Sequence, residues 1–237
     1  MLPGHLLDLG HCDYDEVRAL QHRLVEARLT GAIPDTLVIV EHNPVITLGR
    51  RAPEAHILAS PETLGALGIV VRRVERGGDV TYHGPGQVVA YPIVHLASHG
   101  LGVGDYMHLL EQAMIETLGA CGLAAHRREG LIGVWVGGNK IGALGVRVHR
   151  GVTYHGLALN VAPDMDHWAT IIPCGITDAG VTSLEREVSP APTMAAVRRR
   201  VAECVANGLD LELTATTREG VEPFLGAVMP LDEPRAS

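Results

Sequence analysis

Lysine and aromatic residues are both scarce in this chain of 237 residues. Phe, Trp and Tyr together make up 3% of the sequence, and Phe occurs once, so the hydrophobic core has to be aliphatic. Proteins that bind single-stranded nucleic acid need aromatic stacking platforms, and proteins that bind duplexes need a basic surface. Because the net charge is −8, the sequence predicts no nucleic-acid partner.

Long apolar runs and paired cysteines are also missing. No apolar run reaches the roughly 18 residues that cross a membrane, and the first residues lack the basic and apolar regions of a targeting signal. We therefore expect a cytoplasmic protein that does not contact the membrane. The cysteines are far apart, without a C-x-x-C pair, so we expect no metal site and no cofactor. They are Cys12, Cys121, Cys174 and Cys204. Cys121 and Cys204 fall within helical patterns, and we assign both to packing.

Hydrophobic residues make up 46% of the chain and charged residues 19%, which is the composition of a folded protein. Apolar residues at helical spacing predict helices, and runs of β-branched residues predict strands. The expected helices span 13–29, 61–67, 105–122 and 192–209. The expected strands span 36–42, part of 43–51, 69–74, 87–96 and four short pieces between 124 and 160.

Strands dominate the middle of the chain, and long helices lie on both sides of it. This arrangement favours an α+β fold, with a mixed or antiparallel sheet flanked by helices. We expect a single domain over 1–213 and a loose C-terminal tail over 214–237.

The only lysine, Lys140, lies in GGNKIGALG, residues 137–145, whereas the other 18 of the 19 Lys and Arg residues are Arg. An Arg-rich composition can leave one lysine by chance. Alternatively, this position has to exchange a proton, which a desolvated lysine can do and an arginine cannot. In a strand, alternation would put Lys140, Gly142 and Leu144 on one face, where glycine allows a ligand to approach closely.

The segment RGGDVTYHGPGQ, residues 76–87, combines glycines with polar side chains. It matches neither the dinucleotide-binding pattern nor the P-loop. It is either an ordinary hairpin turn or, as we favour, a loop that brings backbone N–H groups close to a ligand. We expect His83 within it to support the site rather than to bind a metal.

Two later segments contain further candidate residues. His155 and Asn160 frame the small-residue strand YHGLALN, residues 154–160, although a histidine in such a place is more often structural. Cys174 lies between a proline and a glycine, a constrained position that suits a nucleophile. Its thiolate would need a nearby cation or base. Lys140 is a possible partner, but sequence spacing alone does not establish the pair.

Together these segments resemble the octanoyltransferases of lipoate biosynthesis. Residues 76–87 followed by Tyr91 are similar to that family's signature, which is Arg-Gly-Gly, two residues, Thr, an aromatic residue, His and then Gly-Gln. The Lys140 segment, HGLALN and the Pro-Cys-Gly around Cys174 follow in the family's order. The resemblance covers about residues 8–205.

The resemblance implies the fold of the biotin and lipoate protein ligases, which is related to class II aminoacyl-tRNA synthetase catalytic domains. It implies a monomeric enzyme that moves an octanoyl group from acyl carrier protein to a lysine of a lipoyl domain. The acceptors would be 2-oxoacid dehydrogenase complexes and the glycine cleavage H protein. Cys174 would hold the acyl group as a thioester, and Lys140 would be its acid/base partner. The implied substrate-binding residues are Arg76, Gly77, Gly78, Asp79, Val80, Thr81, Tyr82, His83, Ala143, Leu144, Gly145, Gly156, Leu157 and Ala158.

Such a substrate places two demands on the protein. An eight-carbon chain has to be buried, at ~0.8 kcal/mol per CH₂, and small residues would leave room for it. These are Gly142, Ala143, Gly156 and Ala158. Acidic protein partners would have to dock on local basic patches of this acidic chain. The candidates are Arg50, Arg51, Arg72, Arg73 and Arg76.

Three other functions remain open on the sequence alone. An ATP-dependent lipoate or biotin ligase on the same fold would need no cysteine nucleophile. A Cys–His hydrolase, with His83 or His155 as the base, would release the acyl group to water. An acyl-carrier-binding module without activity would leave Lys140 and Cys174 without a role. We rank the transferase above all three.

Overall fold

The computed structural model of the chain describes residues 1–173, 179–227 and 231. Its strands are β1 (Leu2–Cys12), β2 (Asp35–His42), β3 (Val45–Leu48), β4 (Val70–Arg73), β5 (Val80–His83), β6 (Gln87–Ile93), β7 (His126–Arg128), β8 (Leu131–Val136), β9 (Asn139–His149), β10 (Val152–Asn160) and β11 (Leu211–Thr216). Its helices are α1 (Tyr14–Leu29), α2 (Pro61–Ala66), α3 (Val103–Ala120), α4 (Leu184–Glu187), α5 (Met194–Gly208) and α6 (Arg218–Val221).

Most of the strands form one sheet in the order β11-β1-β2-β6-β10-β9-β8-β7, and a smaller sheet has the order β4-β3-β5. In the large sheet β1 is parallel to both β2 and β11. All the other neighbouring pairs, in the sheet order β2-β6-β10-β9-β8-β7, are antiparallel. The sheet is therefore mixed and has helices on both faces, which confirms the predicted fold class.

Alternation along β2 determines which helices cover each face of the large sheet. Leu37 and Ile39 lie in a hydrophobic cluster with α3 and α5, whereas Val38 and Val40 lie in a second cluster with α1. Burying each of these side chains contributes about 1.5–3 kcal/mol. The cores are aliphatic, as the composition requires.

Side-chain caps satisfy the first N–H groups of α1 and α5. Asp13 accepts hydrogen bonds from the backbone N–H of Asp15 (2.8 Å) and Glu16 (3.3 Å) at the start of α1. Thr193 accepts one from Ala196 at the start of α5. Within the described residues, no helix has both the length and the apolar composition that crossing a membrane requires.

Three strands, β1, β5 and β11, are absent from the sequence prediction. β1 contains proline, glycines and histidines and lacks a regular apolar alternation, so long-range pairing on both sides determines it. β5 lies inside the glycine-rich segment that was predicted to be a loop. Part of the segment from residue 214, which was expected to be a loose tail, lies within the described residues. β11 continues to Thr216, and Val221 of α6 is buried in the cluster of α1.

Candidate active site

A cleft of about 910 Å³ follows β9 and β10, between residues 76–83 on one side and the start of β8 on the other. Lys140 lines it, together with all but one of the described residues that the sequence assigned to substrate binding. These are Arg76, Gly77, Gly78, Asp79, Val80, Thr81, His83, Ala143, Leu144, Gly145, Gly156, Leu157 and Ala158. The structure thus gathers separated motifs into one site.

Tyr82 is the residue that the cleft leaves out. It lies on β5, where alternation turns Thr81 and His83 toward the cleft and Tyr82 away from it. The Tyr82 ring packs in a hydrophobic cluster with Trp168, and its hydroxyl lies 2.7 Å from His167 Nδ1. Tyr82 therefore supports β5 from the far side.

Small residues form the base of the cleft. Ala143 pairs with Ala158 across β9 and β10, and Gly145 pairs with Gly156. A β-carbon at Gly156 would collide with the Ala90 carbonyl oxygen, and one at Gly145 would lie 3.0 Å from the Gly77 carbonyl oxygen. Neighbouring backbones therefore approach closely here.

Arg76 fixes the glycine-rich segment from inside. Its Nη2 donates to the Thr47 carbonyl oxygen (2.6 Å) and to Thr47 Oγ1 (2.8 Å), and its side chain is 6% exposed. The next residue, Gly77, donates its N–H to the Val146 carbonyl oxygen (3.0 Å). Gly78 has φ +82°, which glycine adopts without strain. The segment is thus held between β3 and β9.

Lys140 lies at the other end of the cleft and is 7% exposed. Its Nζ donates to the Ile132 carbonyl oxygen (2.8 Å) and lies 5.5 Å from the centroid of the Trp135 ring. Gly133 makes room for this side chain, because a β-carbon there would collide with Lys140 Cε. Gly133 has φ +128° and donates its N–H to Glu111 Oε1 (2.9 Å). A buried carboxylate thus holds the glycine that accommodates the lysine.

The prediction that Lys140, Gly142 and Leu144 lie on one face of β9 is wrong. Trp135 pairs with Lys140 but Val134 pairs with Gly142, so the register shifts at Ile141 and a bulge interrupts the alternation. Gly142 consequently points at Met114 of α3, whereas Lys140 stays in the cleft. No local pattern of the sequence signals this bulge.

A buried carboxylate, Glu75, lies at the inner end of the cleft. Arg18 Nη2 donates to it (2.6 Å), and ring nitrogens of His22 and His155 lie 2.6 and 3.6 Å from it. Burial alone would raise the pKa of Glu75, but the nearby His155, His22 and Arg18 outweigh burial and lower that pKa below its usual range. The sequence analysis missed Glu75, although it directly precedes Arg76.

Burial favours the neutral form of three histidines of this region. Burial, with the nearby His42 and Arg76, lowers the pKa of His83 to about 3. Burial lowers the pKa of His42 to about 4 and also lowers the pKa of His155. His155 has φ +56°, a strained conformation for a residue with a β-carbon, and its N–H donates to Gln21 Oε1 (2.7 Å). His155 is therefore a positioned residue, as is common near functional sites.

Polar contacts connect the glycine-rich segment to the chain after residue 178. Gln87 Nε2 donates to Asn160 Oδ1 (2.9 Å), and Asn160 Nδ2 donates to the Thr182 carbonyl oxygen (3.0 Å). The Thr182 N–H donates to the Lys140 carbonyl oxygen, and the Lys140 N–H to the Gly180 carbonyl oxygen, both at 2.9 Å. The segment 180–182 is thereby attached to β9 at Lys140.

Cys174, the predicted nucleophile, lies outside the described residues. Pro173, which precedes it, lines a small cavity together with Lys140 and Val181. Described residues on both sides of 174–178 thus line one cavity with Lys140.

The other three cysteines lie outside the cleft and serve packing. Cys204 is buried in the cluster of α3 and α5, and Cys121 packs against it, as predicted. Cys12 packs at the edge of the cluster of α1. Burial raises the pKa of all three thiols, so they are less reactive than ordinary cysteines.

The sequence analysis missed other residues that line the cleft because they lie far from the motifs. They are Tyr14, Val103, Met107, Gly130, Leu131 and Ile132. Tyr14 begins α1, and the sequence pattern there predicts a core residue. No sequence pattern indicates that the other five residues line a cleft. Val103 and Ile132 are exposed and give the cleft an apolar rim. In the described parts of the chain, no group of three His, Cys, Asp or Glu side chains is arranged to hold a metal ion.

The chain is similar to proteins of one known family. The family model for the lipoyl protein ligase A/B catalytic domain matches residues 13–206. The octanoyltransferase of Chloroflexus aggregans is 50% identical over 206 residues, which are 86% of this chain and 93% of the relative. That of Koribacter versatilis is 46% identical over 194 residues, 80% and 77% of the two chains.

Solved structures support the same fold at low sequence identity. Lipoate-protein ligase A bound with ATP has a TM-score of 0.75 at 18% identity, with 94% of this chain and 92% of that chain covered. A bi-partite lipoate protein ligase from Thermoplasma acidophilum has a TM-score of 0.74 at 18% identity, with 94% and 91% covered. The chain therefore belongs to the octanoyltransferases, acyltransferases of the lipoyl protein ligase A/B catalytic domain family.

Proposed function

We propose that this octanoyltransferase takes its acyl group from octanoyl-acyl carrier protein and transfers it to the lysine of a lipoyl domain, through a thioester on Cys174. Lys140 exchanges the proton in both halves of the reaction. The observation that carries this proposal is the position of Lys140, which is buried at one end of the cleft. It bonds to segment 180–182 and shares a cavity with Pro173.

The first half-reaction forms the acyl-enzyme. The Cys174 thiolate attacks the carbonyl carbon of the donor thioester, and the bond from that carbon to the donor sulfur breaks. Lys140 gives its proton to the departing sulfur, so the carrier leaves as a thiol.

The second half-reaction forms the product amide. The neutral amine of the acceptor lysine attacks the acyl-enzyme, the bond to the Cys174 sulfur breaks, and Lys140 takes the proton from the nitrogen. The Cys174 thiolate and the Lys140 ammonium are restored. Because a thioester becomes a thioester and then an amide, no ATP is required.

The base of the cleft suits the octanoyl chain. Ala143, Gly145, Gly156 and Ala158 leave space along β9 and β10, and each methylene buried there contributes ~0.8 kcal/mol. The apolar rim of the cleft extends the same surface. The carbonyl carbon of the acyl group would lie near Lys140. The acceptors we propose are the lipoyl domains of 2-oxoacid dehydrogenase complexes and the glycine cleavage H protein.

The buried histidines argue against the hydrolase. A general base works best when its pKa is near the operating pH, and the pKa of His83 is about 3. The pKa of His155 is also lowered by burial. Neither ring is suited to activate water at neutral pH. An ATP-dependent ligase would leave Cys174 unused, and its ATP requirement is directly measurable.

Intact mass measurement tests the proposed function. Incubation with octanoyl-acyl carrier protein alone should add the mass of one octanoyl group to the enzyme, and hydroxylamine should remove it. Addition of a lipoyl domain should consume the acyl-enzyme without ATP. Transfer that requires ATP would establish the ligase, and release of octanoate without an acceptor would establish the hydrolase.

Gly133→Ala should lower octanoyl transfer about 100-fold, because the added β-carbon displaces Lys140 and small displacements of a catalytic group have effects of that size. Gly138→Ala is the matched control, since nothing lies within 4 Å of a β-carbon at Gly138. Transfer rates and thermal unfolding of both variants give the comparison. A folded Gly133→Ala enzyme with near wild-type transfer would contradict the requirement for this Lys140 position.

A further inference from the structure

Positive charge is concentrated in the cleft. Of the described residues that line the cleft, five are Lys or Arg and two are Asp or Glu. The basic residues are Arg50, Arg51, Arg76, Lys140 and Arg147. Both acidic residues have partners: Arg18 forms an ion pair with Glu75, and His56 Nδ1 lies 2.7 Å from Asp79 Oδ2. A local cationic excess on a chain of net charge −8 indicates an anionic ligand.

Of the arginines that line the cleft, Arg50 and Arg51 are the exposed ones. Within the described residues no acidic side chain lies within salt-bridge distance of either. Arg76 is instead engaged with Thr47. Of the other predicted docking residues, Arg72 pairs with Asp15 (2.6 Å) and Arg73 with Glu54 (3.3 Å), and neither lines the cleft.

The backbone holds the Arg50–Arg51 turn against the glycine-rich segment. The Gly49 N–H donates to the Asp79 carbonyl oxygen (3.3 Å), and the Arg50 N–H donates to the Arg76 carbonyl oxygen (3.3 Å). A β-carbon at Gly49 would collide with the Gly78 carbonyl oxygen. The two guanidinium groups therefore extend from a fixed base at the end of the cleft opposite Lys140.

The distance between the Lys140 end and the Arg50–Arg51 end of the cleft fits an acyl donor with a long phosphorylated arm. β9 covers roughly 20 Å from Lys140 to Val146, and Val146 contacts Gly77 next to this turn. A phosphopantetheine arm is about as long as four to five extended residues, roughly 15 Å. With the reach of the Lys140 and Arg side chains, a thioester near Lys140 would place its phosphate near Arg50 and Arg51.

We propose that Arg50 and Arg51 form a phosphate subsite that binds the phosphate group of a phosphopantetheine-linked acyl donor. This rests on the proposed function. Arg is suited to the task because its planar guanidinium group donates two hydrogen bonds to a phosphate. The phosphate could belong to a carrier protein or to coenzyme A, since both have the same arm.

The experiment compares donors that share the octanoyl thioester but differ beyond it. These are octanoyl-pantetheine, octanoyl-4′-phosphopantetheine, octanoyl-coenzyme A and octanoyl-acyl carrier protein. The variant is Arg50→Gln/Arg51→Gln, and the control is Arg199→Gln/Arg200→Gln on α5, an adjacent pair that contacts Glu203 instead. Transfer rates give kcat/KM for each donor.

The double variant should lower kcat/KM about tenfold more for the phosphorylated donors than for octanoyl-pantetheine, as expected for loss of charged hydrogen bonds. The double variant should raise KM rather than lower kcat, and the control pair should show no loss of kcat/KM. Equal losses for all donors, or a loss confined to the carrier protein, would overturn the phosphate subsite. A loss confined to the carrier protein would mean that Arg50 and Arg51 bind the acidic surface of the carrier instead.

A binding measurement separates this proposal from the proposed function. Calorimetry with 4′-phosphopantetheine, and with pantetheine as reference, needs no octanoyl transfer. Tighter binding of the phosphorylated compound to wild type, lost in Arg50→Gln/Arg51→Gln, supports the subsite even if no acyl-enzyme is detected. Equal binding of the two compounds to wild type would refute it even if transfer proceeds as proposed.

Discussion

Cys174→Ala is expected to lower octanoyl transfer by on the order of 10⁴-fold or more, as loss of a covalent nucleophile does. The reason is that no other cysteine can take over. Cys12, Cys121 and Cys204 lie outside the cleft, and burial raises the pKa of each thiol. The acyl-enzyme should also be absent from the intact mass spectrum of the variant.

The matched control is Cys12→Ala, which removes a thiol outside the cleft that donates a hydrogen bond to the Leu9 carbonyl oxygen (3.3 Å). It should transfer at the wild-type rate and form the same acyl-enzyme. Thermal unfolding of both variants excludes a general loss of structure. If Cys174→Ala retained substantial transfer, the covalent mechanism would be wrong, and direct attack of the acceptor amine on the donor would replace it.

Lys140→Arg is expected to be almost as damaging as Lys140→Ala, with a loss on the order of 10²–10⁴-fold. If the side chain supplied only positive charge, arginine would preserve the function. If it has to give and take a proton, arginine fails, because its pKa lies above ~12. The proposed mechanism requires the second case, and it explains why an Arg-rich chain has a lysine here.

Two measurements separate proton exchange from charge. The first is the transfer rate, and the second is the pH dependence of Cys174 alkylation. Lys140→Arg should retain the alkylation profile of wild type, since a cation still favours the thiolate, but lose most turnover. Lys140→Ala should lose both. Turnover of Lys140→Arg within a few-fold of wild type would mean that Lys140 is only a cation and that its uniqueness is an accident of composition.

The parts of the fold that follow from local patterns could be predicted. α1 has apolar residues at helical spacing and an acidic cap, and β2 is a β-branched run, so both are close to their expected bounds. β1 and β11 could not be predicted, because their residues become strands through parallel pairing between positions such as Leu6 and Ala215. Pairing over that separation leaves no local signal.

The same distinction applies to the site. The glycine-rich segment and YHGLALN contain their own residue patterns, and the structure brings them together. The bulge at Ile141, by contrast, depends on how β8 meets β9. Glu75 is held by Arg18 from α1, and Glu111 reaches Gly133 from α3. Side chains that support the site from other elements are recognisable only after folding.

The paired small residues in the middle of the sheet have a consequence for how this protein can change. Cross-strand side-chain pairs typically contribute roughly 0.2–1 kcal/mol each, and a glycine inside a strand costs roughly 0.5–1 kcal/mol relative to alanine. The pairs Ala143–Ala158 and Gly145–Gly156 therefore leave the centre of β9 and β10 less stable than larger residues could make it. Any substitution that improved packing at Ala143 or Ala158 would narrow the cleft. At these positions, a substitution that raises thermal stability therefore reduces the space for the substrate. A more stable relative would have to gain its stability elsewhere in the sheet.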